Sequence, residues 1–150
     1  MSKYITLIIL VVLLILPAAS QVKDKIQEMQ TECRLVRGHA HMIQQMIEED
    51  NYNESVAHAH YQYIETNLKY MEFSLREIET LLTAQQKVRV ATETERLHQI
   101  CNDTKPMADS LKEEIYTEEF NLQRIRILAS RINRNLRNAM DILNQMNQKL

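Results

Sequence analysis

Glycine and proline are nearly missing from this chain, with one glycine and two prolines in 150 residues. A turn-rich β fold needs both, so the scarcity argues against that class. Tryptophan is absent, and there are two cysteines, too few for a disulfide scaffold. An excess of one charge is lacking too. The 18 Lys and Arg stand against 20 Asp and Glu, a balance that speaks against a nucleic-acid partner. No nucleophile elbow, phosphate loop, CxxC, HExxH or paired-carboxylate pattern occurs, so neither an enzyme nor a cofactor is expected. Gly38 alone makes no phosphate loop. It is expected to bend its helix or to admit a close neighbour.

One hydrophobic run is present. Ile5 to Leu16 is apolar but for Thr6, follows the single basic residue Lys3, and precedes Pro17-Ala18-Ala19-Ser20. That is the pattern of a secretory leader, cleaved between Ser20 and Gln21. A spanning helix wants roughly 20 apolar residues, so an uncleaved membrane anchor is the alternative, and a membrane partner follows only from that. The expected organisation is therefore a leader over 1–20 and a single helical-bundle domain over 21–150, in a secreted protein.

The rest of the sequence repeats apolar residues at alternating steps of three and four. The first stripe is Val22, Ile26, Met29, Cys33, Val36, Ala40, Ile43, Ile47. The second is Ala57, Tyr61, Ile64, Leu68, Met71, Leu75, Ile78, Leu82. The third is Leu111, Ile115, Glu118, Leu122, Ile125, Ala129, Ile132, Leu136, Ala139, Leu143, Met146, Leu150, broken only at Glu118. A 3.5-residue period marks coiled-coil packing. Polar, turn-like residues at 48–53 and 101–106 divide the helices. Asn51 or Asn53 caps the second helix, and Asp103 or Thr104 the third, with Pro106 in its first turn.

No break is evident between Thr83 and Val90, and polar residues follow Leu82. These features predict an all-α fold: an antiparallel three-helix bundle, or coiled coil, with a long two-helix projection. Its second helix would run from about 53 to 102, roughly 75 Å at 1.5 Å per residue. The alternative is a four-helix bundle with a turn near residues 83–87, in which the third helix would have to break as well. Folding back near residue 51 places residue 41 of the first arm at about the level of residue 61 of the second.

Cys33 and Cys101 lie far apart on the long-helix reading, and are then free or paired between chains. The four-helix reading brings them close enough for a bridge. Asn53-Glu54-Ser55 and Asn102-Asp103-Thr104 are glycosylation sequons, both at inferred turns. His39, His41, His58 and His60 invite a zinc reading with Glu54. Histidines two apart point about 200° away from each other on a helix, so the ligand set is incomplete and no metal is expected. Several imidazoles at one bundle end would instead charge together near pH 6. Arg124, Arg126, Arg131, Arg134 and Arg137 resemble an anion patch. The expectation is that they pair with Glu65, Glu72 and Glu79 across an antiparallel seam. Tyr63 and Tyr70 are expected in the core.

The function these features imply is a secreted, non-enzymatic interaction protein that self-associates or binds a protein partner. Two alternatives stand beside it. One is an extracellular carrier of lipid or a small apolar ligand, using the broad Met42 and Met46 face of the first helix. The other is a membrane-anchored spacer.

Overall fold

The computed structural model describes the backbone of residues 2–150 and the side chains of residues 20–150; the leader assigned to 1–20 falls, but for Ser20, outside the described side chains. Five helices follow in order: α1 (Ser2–Glu48), α2 (Glu54–Leu81), α3 (Ala84–Arg89), α4 (Ala91–Ile115) and α5 (Leu122–Lys149). No helix among the described residues is long and apolar enough to cross a membrane.

The fold is all-α, and the long helix is not formed. The chain turns back after α2 at Leu82–Thr83, inside what the stripes suggested was one continuous helix. The cause is local. Thr83 caps α3, its hydroxyl accepting from the Gln86 amide at 3.3 Å while the Gln86 side chain accepts from the Thr83 amide at 3.0 Å. This reciprocal capping box satisfies two amides at a helix start, which favours beginning a new helix there. Leu82 is extended, with ψ at 130°. Val90 marks a second bend and is fully buried.

The third helix breaks too. Tyr116 to Asn121 form a loop, and Asn121 accepts from the Arg124 amide at 3.0 Å to start α5. Glu118, the one polar residue in the third stripe, lies in that loop. Pro106 is inside α4 instead of in a first turn.

The α1–α2 connection reads as a Schellman motif. Asp50 takes φ 54°. The Asn51 amide donates to the Met46 carbonyl at 2.9 Å, and the Asp50 amide to the Ile47 carbonyl at 3.3 Å. Asn53 then caps α2, accepting from the Val56 amide at 3.1 Å.

Packing closes a square. α1 lies against α2 and α5, and α4 lies against α2 and α5. Neighbours run antiparallel: Lys25 meets Glu77 at one end of α1 and α2, and His39 meets His60 farther along. Likewise Lys149 meets Glu93, and Arg124 meets Glu114, along α4 and α5. This is the four-helix arrangement, and it corrects the three-helix one.

The core is the set of stripes. Val22, Ile26, Met29, Cys33, Val36, Ala40 and Ile43 are fully buried or nearly so, as are Ile64, Met71, Leu75 and Ile78 on α2 and Ile125, Ile132, Leu136 and Leu143 on α5. α4 adds Leu97, Ala108, Leu111 and Ile115, together with buried Glu93 and Thr104. Each fully buried Leu or Ile contributes about 1.5–3 kcal/mol. Thr104 closes its hydroxyl on the Ile100 carbonyl at 2.6 Å, and Glu93 holds Lys149 at 2.8 Å. Thr104 is thereby satisfied, as burial demands, whereas Glu93 is paired through Oε1 alone and its buried Oε2 has no hydrogen-bond partner.

Candidate interaction surface

On the face shared by α1 and α2, large apolar side chains meet water. Along α2, Val56, Tyr63 and Tyr70 are seven residues apart, with Phe73 one turn beyond. Tyr63, Tyr70 and Phe73 are 57%, 56% and 58% exposed. Ala59 and Thr66 fill the intervening positions, so α2 carries a second three-four stripe (56, 59, 63, 66, 70, 73) turned away from the core stripe (57, 61, 64, 68, 71, 75). One helix thus presents two seams, each with coiled-coil spacing.

Across the groove, Leu35 and Met42 of α1 are also exposed. They lie four residues before and three after His39, on the same helix face. The His39 ring stacks on Tyr63 with centroids 4.6 Å apart. Its Nδ1 is 2.9 Å from the Nδ1 of His60. One ring must donate there and the other accept. Burial lowers both imidazoles, and His60 adds to the lowering at His39. Near the same seam burial raises the Glu32 carboxyl, and the charge of Glu28 raises it further.

Tyr63 and Tyr70 are therefore not core residues, contrary to expectation. Tyr61 is, and burial pushes its hydroxyl up to about 12. It belongs to an aromatic cluster at the end holding the α1–α2 and α4–α5 loops. His58 stacks on Tyr116 at 4.0 Å, Tyr116 meets Tyr61 edge-on at 6.1 Å, and Tyr52 meets Phe120 at 5.2 Å. The His58 Nε2 lies 3.0 Å from the Ile115 carbonyl and 3.5 Å from Glu54. The zinc reading is not assembled: His60 faces His39, while His41 faces away toward α5. Among the described residues no group of three or more His, Cys, Asp or Glu side chains is placed to hold a metal ion.

The thiols of Cys33 and Cys101 are free, so the bridge that a fold-back would permit is not made. Cys33 Sγ lies 3.8 Å from Met71 Sδ. Burial pushes Cys33 up to about 12 and Cys101 up to about 11, which leaves them protonated and poorly nucleophilic. Of the two sequons, Asn53 stands exposed in the α1–α2 turn. Asn102 does not sit in a turn but on the exposed side of α4, and its Thr104 is buried.

The carboxylate row of α2 pairs with α4, not α5. Glu65 meets Lys112 at 3.6 Å, Glu72 meets Lys105 at 3.6 Å, and Glu79 meets His98 at 3.0 Å. The reason is topological, since α2 and α5 are diagonal in the square. Of the α5 arginines only Arg124 has a carboxylate partner among the described residues, Glu114 at 2.9 Å.

The class defined by these features is an all-α bundle of packed antiparallel helices. No protein-family model, curated protein or solved structure matches the chain.

Proposed function

We propose that this chain is a secreted, non-enzymatic helical-bundle protein that self-associates through its α1/α2 face. The observation that carries the proposal is the second seam of α2, whose aromatic side chains stand more than half exposed. A cluster of exposed apolar side chains rimmed by polar residues is the kind of surface that marks an interaction site.

A second copy fits it. A two-fold axis parallel to the bundle lays α1 of one copy antiparallel on α2 of the other. Leu35 then comes at a level between Tyr63 and Tyr70 of the second copy, and Met42 at a level between Val56 and Tyr63, so the side chains interleave. On the outer flanks the same operation brings Asp24 toward Arg76 of the second copy. Neither residue has an ion-pair partner among the described residues of its own chain. Six exposed apolar side chains at ~100 Å² each give about 1,200 Å² over two copies, the lower bound for a stable interface.

Export rests on the Ile5–Leu16 run and the small residues after it. In a eukaryotic secretory pathway Asn53 is the sequon open to a glycan, at the loop end of the bundle.

Sedimentation velocity of the chain from Gln21 tests the proposal. A dimer is expected, weakened about tenfold or more by Tyr63→Asp with Tyr70→Asp. Asp24→Arg should weaken it, and adding Arg76→Asp should restore it. A wild-type chain that stays monomeric at high micromolar concentration overturns self-association. Flotation of that monomer with liposomes would move the reading to a lipid carrier.

A further inference from the structure

On the other flank of α1, away from the aromatic seam, lies a cleft of about 360 Å³ between α1 and α5. Arg34, Arg37, Gly38 and His41 line it from α1, and Asn133 and Arg137 from α5. We propose that this cleft binds a phosphate- or sulfate-type oxyanion, held by the guanidinium groups of Arg34, Arg37 and Arg137 above the notch at Gly38.

Charge is the first argument. None of the three arginines has a carboxylate within ion-pair distance among the described residues. The fold is the reason. The acidic row of α2 that could neutralise α5 sits on the diagonal helix and is engaged by α4. The basic groups of the α1/α5 groove are left facing one another. Clustered like charges repel, and a multivalent anion relieves that repulsion.

Positioning is the second. Arg37 is half-buried and reaches across to α5. Its Nε donates to the Asn133 Oδ1 at 3.0 Å, and its Nη1 lies 3.4 Å from the Met140 Sδ. Both partners are neutral, so the guanidinium is fixed in place with its charge intact and donors to spare. A planar guanidinium held this way matches the oxygens of a phosphate or sulfate group.

Space is the third. Gly38 is the only glycine of the chain and sits inside a helix, where glycine is disfavoured. A Cβ built there would meet nothing within 4 Å. Its φ is not positive, so neither packing nor backbone conformation requires a glycine. What the missing side chain does leave is an open floor between Arg34, Arg37 and His41.

Calorimetric titration of the chain from Gln21 with inorganic pyrophosphate at low ionic strength tests the site. Saturable one-to-one binding is expected. Arg37→Gln and Arg137→Gln should each weaken it about tenfold or more. Gly38→Leu should weaken it comparably while keeping every charge and, by circular dichroism, full helicity. Arg89→Gln, a basic residue at the far corner on α3, should leave it within about twofold. Absence of saturation overturns the proposal. So does Gly38→Leu binding as tightly as wild type, or Arg89→Gln losing as much as Arg37→Gln, because either marks diffuse attraction. Co-sedimentation with phosphatidic-acid vesicles separates the sources. Pelleting that is abolished by Arg37→Gln assigns a lipid headgroup, and pyrophosphate binding without pelleting assigns a soluble oxyanion.

Discussion

Acidification from pH 8 to pH 5 should loosen the α1/α2 seam through His39 and His60. Their Nδ1 atoms are 2.9 Å apart, a contact that survives only while at least one ring is neutral. Both imidazoles are depressed below the ordinary 6.5. The unfolded chain therefore takes up protons before the folded one does. Stability is full above about pH 6.5 and falls as pH drops from there through the folded values.

The magnitude follows from what is lost. A hydrogen bond contributes a net of about 0.5–1.5 kcal/mol. Two charges at ~4 Å repel by about 1 kcal/mol in bulk water and about 4 kcal/mol near a protein surface. The rings are partly exposed, so the lower end applies and about 2 kcal/mol in total is expected. Urea unfolding of wild type, His39→Gln and His60→Gln at pH 8 and pH 5 reads it directly. Either glutamine should remove half or more of the pH-linked loss, since the surviving histidine then titrates without a charged neighbour.

Two other groups bound the window. The Lys149 ammonium beside Glu93 holds its carboxyl below the ordinary 4.5, so that contribution is present above 4.5 and fades only at more acid pH. Glu32, raised by burial, runs the opposite way and gains stability on acidification. If both glutamine variants lose as much stability as wild type, the imidazole pair is not the cause.

Three further outcomes are expected. Asp50→Gly should raise stability by about 0.5–1 kcal/mol in denaturant unfolding, because glycine takes the left-handed conformation at φ 54° without strain. Thr83→Ala with Gln86→Ala should cost about 1–2 kcal/mol by removing the box that starts α3, and small-angle scattering should still report a compact bundle. Cys33 and Cys101 should react with a thiol reagent far more slowly in the native chain than after unfolding in urea, with the buried Cys33 the slower of the two.

The stripes name most of the core, and the expected level of His41 against residue 61 agrees with the register of Lys25 on Glu77 and His39 on Tyr63. The two chain reversals were harder, for different reasons. At residue 83 the signal is present but short. Thr83 and Gln86 are three apart, and the pattern has no glycine or proline to advertise it. At residues 116–121 the loop happens to keep phase, so the three-four spacing passes through from Ile115 to Leu122 with Glu118 as its one defect. α4 was hidden because its inward positions include Glu93 and Thr104, whose burial depends on Lys149 and on a helix carbonyl. Those partners are settled only in three dimensions. The spacing does not tell the exposed aromatics from core ones, because a residue beside a core stripe faces a neighbour in one packing and water in another. In this square α2 has neighbours on two sides, and Tyr63 and Tyr70 lie at the outer rim of the α1 side, more than half exposed even though Tyr63 stacks on His39.

The connections also carry a consequence for how the chain reaches this shape. Two of the four sides of the square, α1 on α2 and α4 on α5, join segments linked by short loops, and these are local contacts that close rapidly. The α2–α4 side follows across the α3 corner. Only α1 against α5 joins the two ends of the domain, with Gln30 meeting Asn144 at 2.8 Å across 114 residues of sequence. The natural order of assembly is two hairpins first and their docking last. The groove between α1 and α5, with its unpaired arginines, is then the final seam to close.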